Sequence, residues 1–432
     1  MDPTLTVLDK LKMDIRNKIL SSREERSKII EELLNESEIV LSVKPNMPGV
    51  NKNSHIAYLL INAFANICDD IAKDVVPIFG YNNDGPYLLF QFNSEINPHQ
   101  LKNRMIKIEE NHFLGRLIDI DVYTKNGKIT RSIPRKCYIC DNQAFLCIRN
   151  QTHTLEQVNL FINDKVKSYY YELLETIIDS SILAELDLDP KFGLVTPKTS
   201  GSHKDMDYEL MLKAKKAIIP YFNKMFWVTC ENSDMNNLIE DLKEIGKSAE
   251  TDMFKVTNGV NAYKGLIFNL GIMVSALALR ISRFNMESIF DLSKLLAMLF
   301  FENQPQDNDT YGAYALSQFN VHGVRGEALS GYTTVQKGLS RLKDLTWKSK
   351  MDTLIFYIIN LEDTNLLKRC GTIKAYNNVK KRFKTLDIDN ETMVQEFNSE
   401  CIKNNLSFGG SADLLVLTVF IRKMGKIFAN LA

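Results

Sequence analysis

The chain has 432 residues, 45% of them hydrophobic, and a formal net charge of zero at pH 7. That length suits two or three domains with real cores, and the balanced charge disfavours a dedicated nucleic-acid binder, whose footprint is basic. The N-terminus MDPTLTVLDKLKMDIRNKIL lacks the apolar region of a signal peptide, and the longest apolar stretch, Leu266 to Leu279, is broken by Asn269 and closed by Arg280, so it reads as a buried helix and not a membrane span.

In chain order, a charged helix (Ser22 through Leu34) leads to a strand-like IVLSVKPNMPG and a second helix around Ile56–Asp70. Short β-rich pieces follow: VVPIFGY, YLLFQF, RLIDIDVYT and GKITRS. This alternation predicts an α+β domain on a small sheet over residues 1–160. Residues 161–432 carry almost no strand signal. Helical periodicity covers Asp207–Phe226, Leu266–Arg283, Ile289–Phe301, Asp352–Ile359 and Ala412–Lys423, predicting a mostly all-α domain. No Pro/Gly/Ser-rich linker separates the halves, so the junction near residues 155–165 is expected to be helical. Seven cysteines without a secretion signal suit reduced thiols in a cytoplasm.

Within HFLGRLIDIDVYTKNGKITR, Asp119 and Asp121 alternate with Ile118, Ile120 and Val122. The β-branched content and the Asn126-Gly127 turn signal predict a strand, which puts both carboxylates on one face. Two like charges side by side need a cation or a strong donor set. One reading is an edge strand with both acids in water; the sharper one is a pair holding Mg²⁺ against a polyphosphate, with Arg116 as a phosphate partner. The Asp-apolar-Asp-apolar pattern is similar to the metal-binding strand of nucleotidyltransferases. Downstream, Cys137, Cys140, Cys147 and His153 form a C-x2-C-x6-C-x5-H array, compatible with structural Zn²⁺ or with plain buried and capping cysteines in a compact hairpin.

Residues 22–155 resemble the apo-citrate lyase phosphoribosyl-dephospho-CoA transferase family through REERSKIIEELL, NMPGVNK, GRLIDIDV and RKCYICDNQAFLCIRNQTH. The resemblance implies transfer of phosphoribosyl-dephospho-CoA to a serine of the citrate lyase acyl carrier protein (gamma subunit), with pyrophosphate released. Asp119 and Asp121 would hold the metal, Arg116 and Lys52 would neutralise phosphate, and a third, unspecified carboxylate would join them.

The second half carries four glycine-marked segments. In FGLVTPKTSGSHKDMDYELM, Ser202 is expected to N-cap a helix with Asp205 at N3, and His203 and Asp207, four apart, to share a face. TNGVNAYKGLIFNLG places Asn261 and Lys264 before a buried helix. HGVRGEALSGY sets Arg325 and Glu327 between glycines, and SFGGSADLLVL leads Gly409, Gly410 and Ser411 into a helix with Asp413 in its first turn. Gly-rich turns at helix N-termini suit phosphates, although ordinary caps look the same. Together with LEDTNLLKRCG (Asp363, Asn365, Arg369), these segments resemble the triphosphoribosyl-dephospho-CoA synthase family from about Phe192 onward. The resemblance implies that ATP is joined to the ribose 2′-hydroxyl of 3′-dephospho-CoA and adenine expelled. An acid must then protonate the base and a carboxylate activate the hydroxyl. The expected catalytic set is Asp205, Asp207, Glu327 and Asp413, with His203, Lys204, Lys264, Arg325 and Arg369 around the nucleotide and Mg²⁺ on the triphosphate. Departures from the family pattern fall at Thr196, Ala262, Tyr263, Lys368 and Phe408. The expectation is a bifunctional fusion of both activities. The rivals are the same chemistry serving malonate decarboxylase, or a non-catalytic module that binds a carrier protein.

Overall fold

Alternating apolar and acidic residues make Ile118–Thr124 a strand with one dry face, and it lies in a five-stranded sheet. In the computed structural model, which describes residues 7–72, 75–93, 96–302, 311–428 and 431, the strands are β1 (Ile39–Pro45), β2 (Ile78–Asn82), β3 (Gly85–Phe92), β4 (Ile118–Thr124) and β5 (Gly127–Ile129). Their order is β2-β3-β1-β4-β5, and every pairing is antiparallel. The predicted Asn126-Gly127 turn joins β4 to β5, with Gly127 at φ 108°. The second predicted helix is shorter than expected: it runs His55–Asn62, and residues 63–71 continue as turns.

Register decides which residues share a face, because directly opposed side chains in a sheet point the same way. Ser42 opposes Asp121 and Lys44 opposes Asp119, so the acids share a face with Lys44. Val40, Tyr87 and Leu89 pack against Ile30 and Leu34 of the helix Val7–Glu36. Val40 opposes Tyr123 on β4, which puts this helix over the acids' face. On the opposite face, Leu41, Val43, Ile118, Ile120 and Val122 are all fully buried.

The chain separates into two compact units, Met1–Glu172 with Ile281–Asn285 and Lys426–Ala429, and Leu173–Arg280 with Met286–Gly425 and Asn430–Ala432. The division falls after Glu172, inside one helix, Leu155–Leu186, which starts in the expected junction region of 155–165 and carries the boundary past residue 160. Among the described residues the second unit has no strand. The apolar stretch forms the helix Lys264–Ile281, whose Leu266, Leu270, Met273, Val274 and Ala278 are completely buried.

Ile120 anchors β4 from the dry side. Ile120→Ala leaves a cavity there, and we expect it to cost about 2–5 kcal/mol, read as a lower denaturant midpoint for the first unit.

Candidate functional site

In the first unit, β5 is too short to cover the whole edge of β4. The uncovered backbone of Ile120 is satisfied instead by the helix Pro98–Asn111: Ile120 N–H donates to Glu109 Oε1 at 2.8 Å, and Lys102 Nζ donates to Ile120 O at 2.6 Å. A buried Glu and a buried Lys therefore act as a strand edge. Burial pushes the Glu109 carboxyl up and the Lys102 amine down, each against opposite charges nearby.

The charge of the acid pair is met within the protein. Asp119 pairs with Arg135, and Asp121 lies 2.7 Å from Lys128 and 3.6 Å from Lys102. Arg135 also reaches Glu109, which Arg131 approaches at 3.5 Å. Both aspartates keep partly exposed side chains. Beside this network is a cavity of about 530 Å³ lined by Asn46, Pro48, Arg116, Arg131, Arg135 and Tyr138 among others. Arg116 donates to the Cys137 carbonyl, and Tyr138 Oη donates to Asn46 O at 2.7 Å. The sequence segments NMPG, GRLIDIDV and RKCYIC thus meet at one concavity. Gly115 is required there: a Cβ would collide with the Ile108 carbonyl at the end of the helix Pro98–Asn111.

Lys52 lies elsewhere. Its Nζ donates to Met47 O, and its charged neighbours are Asp84, Lys44 and Arg23. Asp84, which carries no motif signal, is fully buried and holds Arg23 (3.1 Å), Arg26 (3.0 Å) and Lys44. Burial alone would raise its carboxyl; the hydrogen bond from Lys44 and the charges of Lys44 and Arg26 outweigh that and hold it below the usual carboxylate range. Cys137, Cys140, Cys147 and His153 converge as their spacing allows, with their ligand atoms within 4.8 Å of one another.

In the second unit the glycine-marked segments contact LEDTN or one another. Asp363 caps the helix Thr364–Cys370 by accepting from Asn365 N (2.9 Å) and Leu366 N (3.2 Å), and its other oxygen accepts from Ser411 N at 3.3 Å. Gly410 and Gly409 pass against Asp363 and Asn365. Gly265 lies against the Asp413 carboxylate, where a Cβ would collide with Oδ2. His322 contacts Glu362 Oε2 through its backbone N–H (2.8 Å) and Nδ1 (3.0 Å), which brings in the RGEA segment. His203 Nε2 lies 3.1 Å from Ser407 Oγ, joining the first segment to the residues before Gly409.

Several local expectations are corrected. The capping box is absent: Asp207 is the N-cap of the helix Tyr208–Glu231, accepting from Leu210 N at 2.8 Å. Ser202 is buried with its hydroxyl toward Cys401 O, so it is not available as a cap. His203 and Asp207 precede the helix and share no helical face; Lys204, Asp205 and Asp207 are exposed, with Asp205 at 4.0 Å from His203 Nδ1. The helix at GGSAD begins at Gly409 itself and runs Gly409–Gly425, which moves Asp413 beyond its first turn. Asn261 accepts from Lys264 N, Lys264 pairs with Glu250 at 2.9 Å, Arg325 stacks over Phe301, and Arg369 donates to Asn405 Oδ1 at 2.7 Å.

The departures also have structural roles. Thr196 closes a tight turn with Thr199, and Phe408 packs its ring edge-on against Phe383. Tyr263 is buried with its hydroxyl lacking a hydrogen-bond partner, near Glu185 and Asp413. Ser411 Oγ and Glu327 Oε2 are likewise buried and unpartnered, while Glu327 Oε1 accepts from Thr334. Unpaired buried polar atoms are uncommon and fit a polar ligand. Among the described residues no hydrogen bond or ion pair links Glu327 to Asp413.

Residues 172–431 match the family model described as ATP:dephospho-CoA triphosphoribosyl transferase, over half of the chain. The chain belongs to that family. Residues 15–169 match a second model, apo-citrate lyase phosphoribosyl-dephospho-CoA transferase. Full-length relatives share both parts: "Protein CitXG" of Leuconostoc mesenteroides subsp. cremoris is 28% identical across 94% of this chain and 96% of its own, and "Protein CitXG" of Haemophilus influenzae is 27% identical across 93% and 94%. A probable 2-(5''-triphosphoribosyl)-3'-dephosphocoenzyme-A synthase of Lactiplantibacillus plantarum is 31% identical across 58% of this chain and 96% of its own. The protein is a bifunctional transferase, a CitX–CitG fusion for synthesis and attachment of the citrate lyase prosthetic group.

Burial, with Glu185 and Asp363 nearby, pushes the Asp413 carboxyl well above the carboxylate range. The folded chain keeps this proton where the unfolded chain, with a value of about 4, has lost it. The stability it contributes is complete below that pH and is lost as pH rises through the folded value. Asp413→Asn cannot ionise, so in metal-free buffer its Tm should gain on wild type as pH rises from weakly acidic to alkaline. Parallel pH dependence of the two melting curves would refute the assignment.

Proposed function

We propose that the second unit makes 2′-(5″-triphosphoribosyl)-3′-dephospho-CoA from ATP and 3′-dephospho-CoA at the Asp363–Asp413 cluster, and that the first unit, read as nucleotidyltransferase-like, loads it onto the citrate lyase acyl carrier protein (gamma subunit). The observation that carries the reading is the chain of contacts among the glycine-marked segments, with Gly410 and Ser411 on Asp363, Gly265 against Asp413, His322 on Glu362 and His203 on Ser407, beside an Asp413 carboxyl that burial raises.

Expulsion of adenine leaves positive charge on the ribose, and departure is easier when the base is protonated. Asp413 is the acid, giving its proton to a ring nitrogen of adenine as the C1′–N bond breaks. Tyr263 Oη and Ser411 Oγ, both unpartnered, orient the nucleotide. Burial, together with the charge of Arg369, lowers the pKa of His203 and so favours its neutral imidazole. With Asp205 beside its Nδ1, it takes the proton of the incoming 2′-hydroxyl as the new C1′–O bond forms. Asp207 and Glu327 complete the polar surroundings, and Lys204, Lys264, Arg325 and Arg369 hold the triphosphate.

In the first unit the carrier serine attacks the α-phosphorus, and the bond to the β-phosphate breaks to release pyrophosphate. Asp119 and Asp121, oxygen donors on one strand face, would hold Mg²⁺, which would supply neutralisation of the leaving pyrophosphate. Arg116, Arg131 and Arg135 face the cavity and bind phosphate, and Lys44 adds positive charge on the same sheet face.

Purified chain with ATP, Mg²⁺ and dephospho-CoA should release adenine and form a mass-shifted CoA product. Asp413→Asn should slow adenine release by about a hundredfold or more. Asp119→Asn should fail only at carrier loading. Equal losses of both activities in Asp119→Asn would overturn the division of labour.

A further inference from the structure

Four ligand-type side chains in the first unit take no part in either half-reaction. Cys140 Sγ lies 3.5 Å from Cys147 Sγ and 3.4 Å from His153 Nε2, and Cys137 completes the set within 4.8 Å. A tetrahedral zinc with Zn–S near 2.3 Å and Zn–N near 2.05 Å has S···S and S···N edges of about 3.8 and 3.6 Å. The observed separations are close to those edges and far beyond a disulfide bond of about 2.05 Å.

A second observation is independent of this geometry. The segment from Arg135 to His153 holds a single short helix, Ala144–Arg149, and one isolated bridge, Lys136 to Gln143. Its large apolar residues face outward, Phe145 at 53% and Ile148 at 78% exposure, so no apolar core of its own holds it together. Small segments without a core need a staple. The backbone prepares one: Cys137 N donates to Asn142 O at 2.7 Å and Ala144 N to Arg135 O at 2.8 Å, folding the Cys-x2-Cys turn back on the helix that carries Cys147.

We propose that Cys137, Cys140, Cys147 and His153 bind one structural Zn²⁺ that fixes the wall of the transferase cavity. Binding displaces the thiol protons, leaving three thiolates and a neutral imidazole on the metal. The residues tied to this wall are those that face the phosphates: Arg116 donates to the Cys137 carbonyl, Arg135 bridges Asp119 and Glu109, and Tyr138 is hydrogen-bonded to Asn46. The metal site stands on its own geometry; its consequence for carrier loading rests on the function proposed above.

The test starts from the full chain, purified reduced from zinc-supplemented culture, with its metal content measured by mass spectrometry. One zinc per chain is expected, with loss in Cys140→Ser and in His153→Ala. Co²⁺ added to the stripped wild-type chain should give the thiolate charge-transfer and intense visible bands of a tetrahedral site. Stripping zinc should abolish carrier loading, spare adenine release, and be reversed by zinc alone. A reduced wild-type chain that binds neither zinc nor Co²⁺ beyond the level of Cys140→Ser overturns the site. Zinc bound stoichiometrically with loading unchanged after stripping overturns its role in the wall. Loading absent even with zinc bound refutes the function reading and leaves the metal site intact.

Discussion

The second unit depends on one buried carboxylate. Asp363 satisfies the N-terminal backbone of the helix Thr364–Cys370 with one oxygen and Ser411 N–H in the first turn of Gly409–Gly425 with the other. Helix starts leave orphan donors, and a single side chain serving two of them sets the distance between the helices. Burial raises the Asp363 carboxyl, against the hydrogen bonds from Leu366, Asn365 and Ser411 that favour its ionised form. Asp413 lies a few residues into the second helix, in the field of Asp363 and Glu185, and among the described residues it meets no comparable donors. Two acids of the same type therefore differ in their surroundings: one is held by backbone donors, the other is raised by burial and by neighbouring carboxylates.

The first unit handles its acids differently. Asp119 and Asp121 are neither dry nor alone, because Arg135, Lys128 and Lys102 surround them. Glu109 and Lys102 finish the edge of β4 and, with Arg135, tie the strand to the cavity wall. Arg135, which balances Asp119, also lines the cavity, as does Arg131, which approaches Glu109.

Much of this was legible from local pattern. The β4–β5 hairpin, the common face of Asp119 and Asp121, the Cys/His spacing and the buried helix at Leu266 follow from periodicity and turn chemistry, which act over a few residues. The resemblance to both transferase families rested on the same short segments. The capping box at Ser202 failed for a tertiary reason: Ser202 is buried against Cys401, so the helix begins where Asp207 is free to cap it. Asp84, Glu109 and Glu185 had no signal, since an acid in an amphipathic stretch looks solvated until a distant Arg or Lys is placed on it.

The sequence by itself determined the two classes of domain, the acid pair, the metal-type array and the candidate phosphate loops, because these depend on spacing along the chain. Only the tertiary structure decided which loops meet, which carboxyls burial raises, and which cations balance the acid pair. Those properties depend on desolvation and on Coulomb interactions between residues far apart in sequence, and neither exists until the helices and strands are packed.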